Sequence, residues 1–284
     1  MKLRTANPGN QLSASARRRR VRLRVLSTLL TALCGYAVAQ AQPVLIVYAV
    51  SHADTHYIAQ HVQWIESRPF DGIVINDFLG RNLFSSNLKN DAPNAIDAVG
   101  AITYEVAAKG LSPIKGVFNR FHENFAKVNF SMTGAPPLLN DETGWRILRQ
   151  SAANYAKAVS DTGLRGIFFD NEVYNFPPLS DRKNGANYWT YEDQIALAGQ
   201  SPSGMPFPAA VALARQRGRE LMQAFISGYP GIVVIVAHAP HEGCNSWKSV
   251  SGHFAMDHYL LGAFVAGMVE GTSGAAKLVD GGED

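Results

Sequence analysis

The chain has 284 residues, 46% hydrophobic and 17% charged, a globular composition that excludes collagen-like, disordered and acidic-tail proteins. The formal charge of +3 would suggest an anionic partner, but eight of the 26 lysines and arginines (Lys2, Arg4, Arg17, Arg18, Arg19, Arg20, Arg22 and Arg24) lie within residues 1–41, which hold no acid. Without them 18 bases stand against 23 acids, a net of about −5, so charge gives no reason to expect nucleic acid as a partner.

Residues 1–41 read as a secretory signal peptide, with an arginine-rich start, an apolar run over 25–38 and small residues at Ala37, Ala39 and Ala41 ahead of Gln42. The apolar run is short of the roughly 20 residues of a transmembrane helix. Leu33 before Cys34 does not suit a lipoprotein. The expectation is a mature chain over 42–284, secreted or periplasmic and free of the membrane after cleavage. Cys244 would then be its one cysteine, with no internal disulfide.

From Pro43 onward short apolar runs alternate with stretches of helical spacing. The runs are predicted strands at 44–50, 72–76, 113–119, 166–170, 232–237 and 276–280, each continuous enough to be buried on both faces of a parallel sheet. Between them, 142–161 places Trp145, Leu148, Ala152, Tyr155, Ala156 and Val159 on one helical face and stops at Gly163. Residues 208–227 make a stripe of Val211, Ala214, Gly218, Leu221, Met222 and Phe225, with Arg215, Arg217, Arg219 and Glu220 outside it. Asp54 and Asp257 read as helix N-caps.

Repeated strand–helix units predict an α/β domain, either a (β/α)8 TIM barrel or an open doubly wound sheet. The barrel is favoured, because residues 48–54 (YAVSHAD) and the rest of the chain carry no GxGxxG or GxxxxGK[ST] phosphate loop. Six units are readable where a closed barrel has eight strands, so either further strands lie in the long loops or the (β/α)8 barrel is incomplete at its C-terminus, with an open edge. No cofactor is indicated.

The sharpest chemical signal is the run 166–172 (GIFFDNE), a strand ending in Asp170 and Glu172. Residues two apart in a strand face the same side, so both carboxylates would meet the barrel axis at its mouth. Such pairs suit general acid/base work in glycoside hydrolysis, because one carboxyl is held protonated while the other stays charged. Asp77, Glu242, Asp280 and Glu283 compete for the carboxylate across the sugar, with Asp280 and Asp77 nearest their predicted strands. Asn119, Arg120 and His122 after the third predicted strand and His238 after the fifth are candidate substrate-binding groups. The long segment 173–207 holds Tyr174, Tyr188, Trp189 and Tyr191, read as a sugar-stacking platform, beside Asp181, Asn184 and Asn187.

The Phe-Asp-Asn-Glu run over 169–172 is similar to the Asp-x-Glu that ends a barrel strand in chitinase-like and lysozyme-like members of the TIM-barrel glycoside hydrolases. The resemblance implies a carbohydrate substrate, Glu172 as proton donor and Asp170 as the neighbour that tunes it. The residues of 165–168 depart from the fuller chitinase pattern, so substrate-assisted chitin cleavage is not implied. Two other classes stay open: a non-catalytic carbohydrate-binding barrel, and a metal-dependent hydrolase using His52, His56, His238 and His241 with Asp170, although those spacings match no strong metal motif. Cys244 has only His241 near it in sequence as a base.

Overall fold

The structure is a computed structural model and describes residues 43–48, 53–76, 83, 101–131, 136–173, 188–202, 204–238 and 258–282. The predicted leader and the Asp257 cap lie outside these residues. In chain order the elements are β1 (Ile46–Tyr48), α1 (Thr55–Glu66), β2 (Gly72–Asn76), α2 (Tyr104–Leu111), a 3₁₀ turn (Ser112–Ile114), β3 (Phe125–Ser131), α3 (Glu142–Thr162), β4 (Gly166–Val173), α4 (Tyr191–Leu197), α5 (Phe207–Gly228), β5 (Val233–Val236), α6 (Leu261–Gly271) and β6 (Lys277–Asp280). Among the described residues no helix is long and apolar enough to cross a membrane.

All five strand pairings are parallel, and the strands lie in the order in which the chain makes them, β1 to β6. A doubly wound sheet reverses its order at a switch point. This sheet never does, so every crossover steps the same way and the sheet curls as a barrel does. Among the described residues six strands of the eight-stranded pattern are present, and β1 and β6 are its edges.

Alternation along the strands separates two faces. Ile73, Ile75, Ala126, Val128, Phe130, Ile167, Phe169, Val234 and Val236 belong to the main core, packed with the helices. Val74, Phe125, Phe168 and Val233 form a second cluster on the concave side, with Ile46 and Ile235 against it. Gly166 lies at the foot of β4 beside Val233, where a Cβ would sit 1.8 Å from the Val233 carbonyl oxygen. Only glycine lets these two strands approach so closely.

The helices follow their sequence signals. The Asp141 carboxylate accepts from the Gly144 amide at 3.0 Å to cap α3, and Gly163 closes it in the left-handed region at φ 83°. Asp54 caps α1 through the Tyr57 amide at 2.8 Å. The predicted α5 stripe is buried apart from the half-buried Val211, and Arg217 is buried with it, at 3% exposure. Its guanidinium donates to the Leu139 carbonyl at 2.9 Å and pairs with Glu142 at 2.7 Å and Glu220 at 2.9 Å, which offsets the cost of burying the charge.

The third predicted strand is corrected. Residues 113–119 form a turn, because Pro113 has no N–H for a ladder and Gly116 takes φ 69°. The strand itself lies later, at Phe125–Ser131, where Lys127 and Asn129 alternate with Ala126, Val128 and Phe130.

Gly166→Ala is expected to lower stability by about 1–3 kcal/mol, the range for overpacking a tight core. Calorimetric melting checks this, and an unchanged melting temperature would contradict the close β4–β5 approach.

Candidate functional site

Asp170 shares the concave face of β4 with Phe168 two residues earlier; the β3–β4 pairing then shifts register by a bulge before Val173, and the Glu172 carboxylate still lies within 4.8 Å of an Asp170 oxygen. Asp170 is buried at 4% exposure and its Oδ2 lies 2.8 Å from the Lys127 ammonium. Lys127 sits beside Phe168 in the β3–β4 register and reaches diagonally to Asp170. It also donates to the Tyr48 hydroxyl at the end of β1. Burial works against the Lys127 ammonium, but the hydrogen bonds to Asp170 and Tyr48 and the attraction of Asp170 outweigh it, so its pKa is raised. The other Asp170 oxygen accepts from the Glu172 amide at 3.2 Å.

Glu172 remains partly open, with 42% of its side chain exposed, and its Oε1 lies 3.2 Å from His238 Nε2. His238 follows β5 and is held by Asn171, which is fully buried. The His238 amide donates to Asn171 Oδ1 at 3.0 Å, and Asn171 Nδ2 donates to the His238 carbonyl at 2.9 Å. The Trp189 indole in turn donates to the Asn171 carbonyl at 3.0 Å. The buried Asn171 side chain therefore fixes the backbone from which the His238 ring reaches Glu172.

The structure brings Asp170, Glu172 and His238 together and disperses most of the other predicted site residues. Tyr188, Trp189 and Tyr191 are not a sugar platform: they are buried at 1%, 3% and 5% exposure. Tyr188 and Trp189 pack on Phe130 with ring centroids 5.4 and 5.6 Å away. The Tyr188 hydroxyl donates to the Pro137 carbonyl at 2.7 Å, and that of Tyr191 to the Met205 carbonyl at 2.6 Å. Burial pushes the Tyr188 phenol well above its usual pKa. These rings belong to the main hydrophobic core and are not available as stacking faces.

Asn119 and Arg120 are also corrected. They precede β3 and so lie toward the foot of the sheet, away from the carboxylates. Arg120 caps α1 by donating to the Glu66 carbonyl at 2.6 Å and to the Arg68 carbonyl. The Glu66 carboxylate accepts from the amides of Asn119, Arg120 and Phe121 at 2.7–2.9 Å. Partial burial opposes the Glu66 charge, but those three amides and the Arg120 charge prevail and lower its pKa.

Asp280 is one residue out of phase. Its register partner Val236 faces the helices, so Asp280 shares that side and its carboxylate accepts from the Gly282 amide at 2.9 Å. It does not face Asp170 and Glu172. His122 is exposed before β3, and His56 is exposed on α1. Asp77 and Tyr174, like Asp181, Asn184, Asn187, His52, His241, Glu242, Cys244 and Glu283, lie outside the described residues.

Lys127 and Tyr48 are the functional-site residues that the sequence reading missed. The available signal was the alternation of Lys127 and Asn129 with apolar residues, which marks a strand lining a polar mouth.

One ligand atom from each of Asp170, Glu172 and His238 lies within 4.8 Å of the others, close enough to hold a divalent cation. Both Asp170 oxygens are already engaged, one by the Lys127 ammonium and one by an amide, so a metal would compete with a cation the protein supplies itself.

The fold and the site's position thus define an α/β protein of the (β/α)-barrel class with ionisable residues at the C-terminal ends of its strands. The chain matches no protein-family model and no curated protein. Among solved structures it is similar to a β-mannanase from the blue mussel Mytilus edulis, at 12% identity over 78% of this chain with a TM-score of 0.38. It is also similar to an endocellulase from Pyrococcus horikoshii in complex with cellotetraose, at 11% identity over 72% of this chain with a TM-score of 0.37. The chain spans 65% and 54% of those two chains.

Two outcomes are expected. Asn171→Ala removes the two part-buried hydrogen bonds to the His238 backbone, which should cost about 1–3 kcal/mol and shift the His238 ring resonances in NMR spectra; an unmoved His238 would contradict the clamp. Because the folded-state pKa of Glu66 is lowered, its contribution is present above the unfolded pKa and lost as pH falls through the folded value. The melting temperature should therefore fall more steeply below about pH 5 in the wild type than in Glu66→Gln, and parallel pH profiles would show that the amide nest contributes nothing.

Proposed function

We propose that the chain is a glycoside hydrolase acting on a glycan outside the cytoplasm. The observation that supports this reading is the convergence of Asp170, Glu172 and His238 at the strand ends, with Lys127 committed to Asp170. In this reading Glu172, the more open carboxyl, delivers a proton to the glycosidic oxygen as the bond to the leaving group breaks. Asp170 is held by Lys127 and by the Glu172 amide, so it orients and tunes its neighbour and does not attack the sugar. His238 steadies the Glu172 carboxyl between turnovers. With Asp280 facing away, Asp77, Glu242 and Glu283 remain the contenders for the second carboxylate, which attacks the anomeric carbon or deprotonates the water that does, so that a new C–O bond replaces the one broken. The export that the leader predicts would place the substrate among extracytoplasmic polysaccharides and glycans.

The ligand spacing at Asp170, Glu172 and His238 also favours a second reading, a metal-assisted hydrolase. A panel of umbelliferyl glycosides separates the two. Glu172→Gln should lower kcat about 10²–10⁴-fold, the range for loss of a general acid, while leaving glycan affinity intact, and a chelator should have no effect. Full turnover by Glu172→Gln would defeat the acid assignment. Activity lost with chelator and restored by zinc or manganese would favour the metal reading, and glycan binding without turnover in the wild type would leave a carbohydrate-binding barrel.

A further inference from the structure

The outer face of α1 carries a row of exposed rings that the site at the mouth does not use. Tyr57, His61 and Trp64 recur at spacings of four and three residues, which sets them on one side of the helix, apart from the buried Ile58 and Ile65. Arg68 follows just past the Ser67 C-cap. Tyr57 is 45% exposed and Trp64 58%. A single exposed apolar residue needs no explanation, but a row of rings does.

The rings are held in place. His61 departs from helical geometry at φ −116° and ψ 15°, and its Nδ1 donates to the Tyr57 carbonyl at 2.8 Å. The imidazole stacks on the Tyr57 ring, with centroids 4.1 Å apart and planes at 23°. The Arg68 guanidinium lies 4.3 Å from the centre of the Trp64 ring, over its face. Each ring is thus backed on one side while much of it stays open to solvent, which spares a ligand the cost of ordering it.

The chemistry of this row selects a partner. A pyranose is apolar across its C–H face and polar around its rim. Stacking on Tyr57 or Trp64 removes apolar surface from water, while the exposed Gln60 and Gln63 amides alongside meet hydroxyls. Seven residues of helix separate the two rings by about 10.5 Å along the axis, so a chain of sugars, and not a single one, spans both. Charge adds a sign. The two carboxylates of this element are committed at its ends, Asp54 to the Tyr57 amide and Glu66 to the amides of Asn119, Arg120 and Phe121. That leaves Arg68 to set the charge of the row, and a guanidinium matches a carboxylate in geometry as well as sign. A nucleic acid or an anionic membrane would call for many cations, whereas residues 42–284 carry 18 bases against 23 acids.

We propose that the outer face of α1 is a second glycan-binding surface, taking a linear acidic glycan with its sugar faces on Tyr57 and Trp64 and a uronate carboxylate at Arg68. The surface is distinct from Asp170, Glu172 and His238 and does not need turnover. Where the hydrolase reading holds, a polymer tethered at α1 is kept at a high effective concentration for the mouth.

The test uses the full chain with hexamers of galacturonate, glucuronate and mannuronate, and with the same hexamers after their carboxylates are reduced to alcohols. Calorimetry at low salt should show at least one uronate hexamer bound about fivefold more tightly than its reduced form, the scale of one exposed ion pair. Trp64→Ala should weaken that binding about tenfold, the scale of one lost ring stack. Arg68→Gln should abolish the preference for the acidic form. Val269→Ala, equally exposed but on α6, should change neither. All three variants should turn over umbelliferyl glycosides as the wild type does. Failure of every uronate hexamer to bind, or binding unchanged by Trp64→Ala, would overturn the proposal. So would equal affinity for acidic and reduced hexamers, or sedimentation showing paired chains that Trp64→Ala separates. Trp64-dependent uronate binding with no glycoside turned over would sink the hydrolase reading and leave this surface standing; turnover without Trp64-dependent binding would do the reverse.

Discussion

The ion pair between Lys127 and Asp170 is the constraint on which the rest of the mouth depends. It joins β3 to β4 on the concave face, with the carboxylate almost fully buried. Two charges in such a place are tolerable only together, since removing one strands the other in a low-dielectric site at a cost of about 3–5 kcal/mol. The pair also decides the division of labour. Asp170 is committed to Lys127 and to the Glu172 amide, which leaves Glu172 as the carboxyl with an open side chain and a histidine for company. Tyr48 extends the same chain of contacts to the first strand, so the polar layer spans β1, β3, β4 and the end of β5.

Beneath that layer the concave face turns apolar within one residue step. Phe168 lies below Asp170 on β4, with Ile235 beside it on β5 and Val74 of β2 in the same cluster. Polar mouth and apolar floor follow from period-two alternation in parallel strands held in register, and the bare Cα of Gly166 lets β4 and β5 meet at the foot. The outer core reaches the mouth as well. Phe130 packs on Trp189, Trp189 holds the Asn171 carbonyl, and Asn171 holds His238. A defect in the helix-side aromatic cluster would therefore be felt at the carboxylates.

Much of this was legible from residues. α3 and α5 follow from their apolar stripes and from Gly163, whereas alternation, which suggests that Asp170 and Glu172 meet, is interrupted by a bulge between Asp170 and Val173 that no pattern in the residues announces. The absence of a phosphate loop after the first strand favours the barrel over the doubly wound sheet, and the strand order β1 to β6 agrees. The errors have physical causes. The run 113–119 looks apolar, yet Pro113 and Gly116 make it a turn, while the real β3 carries Lys127 and Asn129 and so resembles a loop by composition. Displacing that strand carried Asn119 and Arg120 to the wrong end. Asp280 failed by one residue of phase, since a strand's facing depends on where its pairing starts. Tyr188, Trp189 and Tyr191 have the composition of a sugar platform, but composition does not say which face of a ring is covered; Phe130 and Phe264 pack on Tyr188 and Trp189, and Phe207 packs on Tyr191.

A double-mutant cycle on Lys127→Met and Asp170→Asn, read by calorimetric unfolding, tests most directly whether the Lys127–Asp170 pair organises the mouth. The account predicts a large loss for each single change and a partial recovery in the double, with a coupling energy of about 1–3 kcal/mol. Additivity to within about 0.5 kcal/mol would mean the two charges do not act as a pair, and the division of roles between Asp170 and Glu172 would lose its physical basis.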